Sequence, residues 1–184
     1  KFTSNVIFLN KTTGDREMDD TFTINTSKKH KNGTERIFEV AKKKKAELII
    51  DIQGDQPLID PKAIDKVIEF HKKNRSAGII LPSLKKNNIS SKNIVKVIAT
   101  DNGSVLYLSR LSAPFYFRMK KKTLLKHLSI ISFKPEALKK FFYSKQTKLE
   151  KIEGVELLRA LELGIQIKTL ILKGDSFSVD IKQD

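Results

Sequence analysis

The sequence predicts an α/β domain, and three features of it do so. Short β-branched apolar runs of strand length occur at Leu48-Ile49-Ile50-Asp51-Ile52 and at Gly78-Ile79-Ile80-Leu81-Pro82. Segments with apolar residues at helical spacing and cap-forming residues at their starts lie between and around those runs. Residues 93–109 carry two alternating runs about the Gly-bearing turn Thr100-Asp101-Asn102-Gly103, the pattern of a hairpin. Strands alternating with helices give an α/β domain, and the hairpin adds antiparallel pairing.

In chain order, Asn5–Leu9 is a strand candidate, Lys11–Asp15 a turn, Arg16–Asp20 a helical turn, and Thr21–Thr26 an alternating strand. Residues 27–34 form a polar loop, after which Thr34 is a fair N-cap for a helix whose apolar positions are Ile37, Phe38, Val40 and Ala41. A loop entering a helix N-terminus offers N–H groups and dipole to an anion. After the strand at 48–52, Ile59-Asp60-Pro61 opens a helix with Ala63, Ile64, Val67, Ile68 and His71 on its buried stripe. Lys85–Lys92 follows the second apolar strand as a polar loop, and the irregular stretch 110–119 follows the hairpin. Lys126–Phe133 is a further strand, and Pro135 opens a helix to about Tyr143. Lys148–Glu162 is the strongest helix, with Leu149, Ile152, Leu157, Leu158 and Leu161 inward and Gly164 as its stop. Ile165–Leu172 is a strand, and Val179–Asp184 closes the chain. No internal repeat or linker divides residues 1–184, so a single domain is expected.

Composition narrows the function. A chain of 184 residues can bury one sizeable core. It has no cysteine, which excludes disulfides and thiolate metal sites and fits a cytoplasmic protein. No stretch has the apolar length of a membrane span, and no signal peptide is visible. The net charge of +15 is carried almost entirely by Lys, in runs such as Lys42–Lys45 and Lys120–Lys122 that lack interleaved aromatics. Solvated Lys-rich faces explain those runs better than a nucleic-acid site, and the field also attracts an anionic substrate.

The candidate centre is the end of the strand at 48–52. Gly54 breaks the run and Asp55 follows it, beside the Gln53 amide. In open α/β sheets, ligands bind beyond the carboxyl ends of the strands. A carboxylate there suits Mg²⁺, which takes one or two carboxylates and leaves its other positions to water and phosphate. The same residues are equally compatible with a strand that ends in a polar turn.

Several collinear segments resemble the 3-deoxy-manno-octulosonate (KDO) cytidylyltransferases. His30-Lys31-Asn32-Gly33-Thr34-Glu35-Arg36 is similar to the family's His-x-Ser-Gly-Thr-Asp/Glu-Arg, and Asp51-Ile52-Gln53-Gly54-Asp55-Gln56-Pro57-Leu58 to its Asn-Val-Gln-Gly-Asp-Glu-Pro-Leu. Val95-Lys96-Val97 with Leu106-Tyr107-Leu108-Ser109-Arg110 resembles its Val-Lys-Val and Leu-Tyr-Phe-Ser-Arg pair. Lys126-His127-Leu128-Ser129-Ile130 resembles Arg-His-Ile/Leu-Gly-Ile. The stretch from Leu149-Glu150-Lys151-Ile152-Glu153 to Leu158-Arg159-Ala160-Leu161 resembles a further block, and Ser178–Asp184 resembles Gly-Val-Asp-Thr-Pro-Glu-Asp.

The resemblance implies a nucleotide-diphospho-sugar transferase-like α/β fold: a mixed, mostly parallel sheet flanked by helices, with an antiparallel hairpin. It implies Mg²⁺-dependent transfer of CMP from CTP to KDO for lipopolysaccharide or capsule synthesis, and a homodimer without nucleic-acid or membrane partners. It assigns Asp55 and Asp180 as catalytic metal carboxylates, Gly33, Thr34 and Arg36 to the nucleotide, and Gln53, Arg110, His127 and Glu150 to the sugar acid. Alone, these residues have plainer readings. His127 reads as a core histidine, Arg110 as a surface ion-pair partner, Glu150 as one of a solvated helix pair, Asp180 as a cap or tail and His30 as an exposed loop residue. The family's basic loop, Arg-x-x-Ser-x-Arg-x-x-x-Lys, has no counterpart in residues 1–22, and Ser129 stands where the family has Gly. The expectation is therefore the family's domain without its first strand and triphosphate loop, with Asn5–Leu9 pairing near Leu48–Ile52 instead. Three alternatives remain: a cytidylyltransferase for another sugar acid or amino-KDO, a non-catalytic remnant that keeps the sugar and dimer surfaces, and a Lys-rich nucleic-acid-binding protein.

Overall fold

The computed structural model describes residues 5–10, 20–30, 32–43, 46–53, 59–87, 89–118 and 123–174. Asn5–Asn10 (β1) pairs antiparallel with Asp20–Asn25 (β2), Val6 opposite Ile24 and Phe8 opposite Phe22. The expected pairing of Asn5–Leu9 near Leu48–Ile52 is thus corrected. An alternating strand close in sequence closes a shorter loop and offers a full ladder. Helix α1, Gly33–Ala41, is capped two residues before the expected cap Thr34. Asn32 is extended, and its Oδ1 accepts from the Glu35 N–H at 2.9 Å, so the better N-capping side chain wins over Thr34, which is buried in the first turn. These elements belong to one compact unit, residues 1–46, and everything below to a second, residues 47–184.

In the second unit, Ile49–Ile52 (β3) leads to α2, Pro61–Lys73, capped by Asp60 Oδ1 on the Lys62 N–H at 2.9 Å with Pro at the start. Then come Ile79–Ile80 (β4), Ser83–Asn87 (β5), the hairpin Lys96–Ala99 (β6) and Val105–Ser109 (β7), Thr123–His127 (β8) and Ile130–Phe133 (β9). Helices Pro135–Phe142 (α3), Lys148–Glu153 (α4) and Leu157–Glu162 (α5) precede Ile167–Lys168 (β10) and Ile171–Leu172 (β11). Pairing gives one sheet in the order β10-β4-β9-β3 and another in the order β11-β5-β8-β6-β7.

The two orders describe one bent surface. β4 continues into β5 across Leu81-Pro82, β8 into β9 across Leu128-Ser129, and β10 into β11 across Thr169-Leu170. The backbone stays paired through the bend: Leu81 N donates to Lys168 O at 2.9 Å, Ser83 N to Leu170 O at 2.9 Å, and Leu128 N to Pro82 O at 3.0 Å. This satisfies donors that burial would otherwise leave costly. Val67, Ala77, Ile80, Leu84, Leu128, Ile130 and Leu172 form a core cluster spanning both halves. His71 pins α2 to β9. Its Nε2–H donates to Ala77 O at 3.1 Å, because a carbonyl can only accept, and its Nδ1 accepts from the Ser132 hydroxyl at 2.7 Å.

The α/β class with mixed sheets is as expected, and several element assignments change. Among the described residues only β10–β4 and β11–β5 pair in parallel, where a mostly parallel sheet was expected. β9 inserts antiparallel between β3 and β4 and so separates two strands that run the same way. Residues 85–87, expected as the start of the polar loop 85–92, belong to the paired strand 83–87, because the ladder with β8 outweighs the low strand propensity of Lys85, Lys86 and Asn87. The single strands expected at 126–133 and 165–172 each divide at the bend. Among the described residues β3 is an edge strand, with Ile52 exposed. The long helix expected at 148–162 breaks at Gly154, whose φ of 62° is left-handed. The tip of the hairpin docks on the β10–β11 connection, where Thr169 N donates to Gly103 O at 2.7 Å. A Cβ at Gly103 would meet Thr169 O at 2.8 Å, so glycine is required there.

A Cβ at Gly154 meets nothing nearer than 3.9 Å, so Gly154→Ala isolates the backbone term. We expect a loss of about 1–2 kcal/mol of stability, read as a lower urea midpoint with an unchanged m-value.

Candidate functional site

The bend in the sheet brings Gln53 close to His127, and one stretch of backbone ties His127 to Arg110. Gln53 follows β3, and its N–H donates to Ser129 O at 3.1 Å, at the corner itself. His127 is the last residue of β8, opposite Ser83, and its N–H donates to Val95 O at 2.9 Å. Arg110 follows β7, and its Nη1 donates to Lys92 O at 3.0 Å and Asn93 O at 3.4 Å. Segment 92–95 therefore supports both His127 and Arg110.

Arg110 is held on its other side by α4. Its Nε donates to Glu153 O at 2.8 Å, its Nη2 to Gly154 O at 3.1 Å, and its main-chain N–H to Glu153 Oε2 at 2.9 Å. The left-handed turn at Gly154 aims these carbonyls at the guanidinium. Glu153 also accepts from Ser109 Oγ at 3.1 Å and Tyr107 Oη at 3.4 Å. Burial and the Glu153 carboxylate push the Tyr107 phenol up from its usual range, so it stays a donor. Glu153 is the hub that sequence reasoning passed over, although it lies in the quoted 149–153 block. Lys96 was also missed: it is fully buried, and its Nζ donates to Ser91 O at 2.6 Å, Arg110 O at 2.7 Å and Ile94 O at 2.9 Å.

His127 differs from the structural His71. Its Nε2 is enclosed and has no hydrogen-bond partner among the described residues. Burial, with a smaller contribution from the Lys126 charge, lowers its pKa to about 4, so the ring is neutral at pH 7. A neutral imidazole with an enclosed, unmatched nitrogen suits a hydroxyl that can either donate or accept.

Glu150 lies in the interior between α4 and α5. Arg159 holds it with Nε on Oε2 at 2.7 Å and Nη2 on Oε1 at 2.5 Å, and stacks its guanidinium 4.2 Å from the centre of the Phe141 ring. Burial favours the neutral acid, but the Arg159 hydrogen bonds and charge, the Thr147 N–H and the Gln146 amide outweigh it and hold the carboxyl below its usual range. The pair closes the broken helix on itself, three residues from Glu153.

The nucleotide-side residues sit in the first unit. Gly33 is exposed at the start of α1, Thr34 is buried beside it, and Arg36 Nη1 donates to Thr26 Oγ1 at 3.0 Å and Ser27 O at 3.1 Å. His30, expected to be exposed, is mostly covered and lies 2.5 Å from Glu39 through Nε2. The Ser27 N–H and the His30 ring hold the Glu39 carboxyl below its usual range. The loop before α1 is thus tied down at both ends. Asp55 and Asp180 lie outside the described residues. Among those described, no group of three or more His, Cys, Asp or Glu could hold a metal.

Comparison with known proteins decides the family. A family model described as cytidylyltransferase matches residues 21–167. The 3-deoxy-manno-octulosonate cytidylyltransferase of Thermodesulfovibrio yellowstonii is 37% identical over 177 residues, covering 88% of this chain and 69% of that protein. The chain belongs to the 3-deoxy-manno-octulosonate cytidylyltransferase family. The enzyme of that name from Trichlorobacter lovleyi is 35% identical, with 88% and 69% of the two chains covered. A solved CMP:2-keto-3-deoxy-manno-octonic acid synthetase complexed with CTP superposes with a TM-score of 0.78 at 26% identity, over 84% of this chain and 65% of that one. The chain thus spans about two thirds of the length of these cytidylyltransferases.

Two outcomes follow for this cytidylyltransferase. Glu150→Gln leaves Arg159 charged and buried, so stability falls by about 3–5 kcal/mol in urea unfolding. A residue that served only a ligand would leave stability unchanged. His71 is also lowered, chiefly by burial, so both buried histidines have folded pKa values below the unfolded value of 6.5. The stability they confer is complete above pH 6.5 and is lost as pH falls toward their folded values. Unfolding midpoints should therefore decline as pH falls from 6.5 toward 4.5, and His127→Gln should flatten part of that decline.

Proposed function

We propose that the protein transfers CMP from CTP to 3-deoxy-D-manno-octulosonate and releases pyrophosphate, supplying an activated sugar acid for lipopolysaccharide or capsule synthesis in the cytoplasm. The observation that carries this reading is the 37% identity to a relative of that name, with matched segments spanning the bend, the hairpin and the α4 turn. The anomeric hydroxyl attacks the α-phosphorus, forming a new P–O bond while the bond to pyrophosphate breaks in line. Such transfers depend on positioning and on positive charge at the phosphates rather than on covalent catalysis. The +15 net charge draws both anionic substrates toward the protein.

On the sugar side, Arg110 keeps the Nη2 N–H not committed to a carbonyl for the sugar carboxylate, His127 Nε2 meets a sugar hydroxyl, and Gln53 lies at the corner beside His127. Glu150 acts there through the helix break that its pair with Arg159 stabilises. On the nucleotide side, Gly33, Thr34 and Arg36 lie in the first turn of α1, just after the anchored loop. Asp55 and Asp180, hard oxygen donors of the kind Mg²⁺ prefers, would hold that ion, which supplies charge neutralisation at the phosphates. The residues Leu106, Leu111, Phe115 and Phe117, all exposed within one stretch, support a homodimer. Among the described residues no helix is long and apolar enough to cross a membrane.

Pyrophosphate release tests the reading. Turnover should require CTP, Mg²⁺ and KDO together and be slower with other nucleotides or sugar acids. A preference for another sugar acid or an amino-KDO would replace the substrate, and a folded protein with no turnover would leave a non-catalytic relative. Arg110→Ala and His127→Ala should each raise the KM for KDO by roughly ten- to a hundredfold, with the CTP term changed less than about twofold. Asp55→Asn should abolish turnover and leave the melting temperature unchanged, since it removes charge and not volume.

A further inference from the structure

Lys96 and Arg159 are the two fully buried cations among the described residues of the second unit, at 0% and 1% exposure, and among those residues no carboxylate takes the Lys96 ammonium. Its three N–H donors meet three carbonyls, Ser91 O at 2.6 Å, Arg110 O at 2.7 Å and Ile94 O at 2.9 Å. Three donors on three acceptors leave nothing unsatisfied, which is the condition for burying an ammonium at all. The carbonyls come from two separate stretches: the segment before β6 and the residue just after β7. That same segment supplies the Lys92 and Asn93 carbonyls that take Arg110 Nη1, and the Val95 carbonyl that takes the His127 N–H. The ammonium therefore joins the main chain of Arg110 to the loop that grips its side chain. A second cation placed against Arg110 opposes it electrostatically, and Glu153, bonded to the Arg110 N–H, offsets both.

We propose that Lys96 is a positioning residue for the sugar-acid site, holding segment 91–94 and Arg110 in one geometry so that the guanidinium meets the sugar carboxylate without reorganising. This rests on the reading that Arg110 contacts the sugar acid. Ordering that loop only when the sugar binds would weaken binding, which is the cost preorganisation removes. A long, flexible amine is suited to reach three carbonyls as a point charge, whereas a planar guanidinium is not.

The test uses Lys96→Met, Arg110→Ala and the double variant in the full-length protein, with Lys96→Arg as a second single variant. Lys96→Met should raise the KM for the sugar acid by about tenfold, with the KM for CTP and kcat within about twofold. The double variant should be no worse than Arg110→Ala alone, because a residue acting through another has no separate effect. Lys96→Arg should not restore the sugar term. Additive effects, an equal rise in the CTP term, or a Lys96→Met protein whose melting curve shows no folded state would each overturn the proposal. If Arg110→Ala leaves the sugar term unchanged, the sugar reading fails instead. Amide hydrogen exchange then decides the positioning: Lys96→Met should speed exchange at residues 92–95 and 110–111 and not in α2 or β9. Unchanged exchange at 92–95 would overturn it.

Discussion

The structure depends on keeping its backbone paired through the bend in the sheet of the second unit. Three strands turn there, at Leu81-Pro82, Leu128-Ser129 and Thr169-Leu170, and each turn would leave buried amides bare if the others did not turn with it. The hydrogen bonds from Leu81, Ser83 and Leu128 cross between neighbouring corners, so the bend is cooperative rather than a set of separate kinks. The fully paired corner also gives the site a fixed address. Gln53 joins the sheet at Ser129, and His127 is the residue before Leu128.

Polar groups then carry the precision that an apolar core cannot. The buried Lys96 and Glu150–Arg159 pair, with the half-buried Glu153 and Arg110, form a charge-assisted framework between the hairpin and the broken helix. Such networks are costly when half-satisfied and rigid when complete. Here each charged atom named has a partner, and most of those partners are carbonyls at the ends of elements. Main-chain acceptors do not change rotamer, so a guanidinium held by Lys92, Glu153 and Gly154 keeps one orientation. Beside that framework the neutral His127 ring has an enclosed Nε2 with no partner among the described residues, which makes it the informative atom of the region.

Much of this was legible in the sequence, for reasons particular to each segment. The α/β class followed from the β-branched runs at 48–52 and 78–82 and from the capped helix at 61–73, where local propensity and tertiary demand agree. The hairpin followed from Asp101-Asn102-Gly103. The family followed from collinear motifs, whose joint order no single residue could supply. The bend was not legible, because Leu128-Ser129 and Thr169-Leu170 carry no Gly or Pro and look like strand interior. β5 was hidden because strand neighbours, not Lys85 and Lys86, decide its state. The break at Gly154 was passed over because the apolar spacing runs on through it, although its backbone alone permits the turn that reaches Arg110. Lys96 and Glu153 looked like ordinary charges, since the carbonyls and hydroxyls they join are distant in sequence.

The central claim is that the corner of the bent sheet, braced by the hairpin and the α4 turn, forms the sugar-acid side of a cytidylyltransferase. A crystal structure of the protein with KDO bound tests it most directly. The sugar carboxylate is expected within hydrogen-bond reach of the Arg110 guanidinium, with a sugar hydroxyl on Nε2 of His127 and segment 92–95 unmoved. A sugar acid bound away from both residues would contradict it.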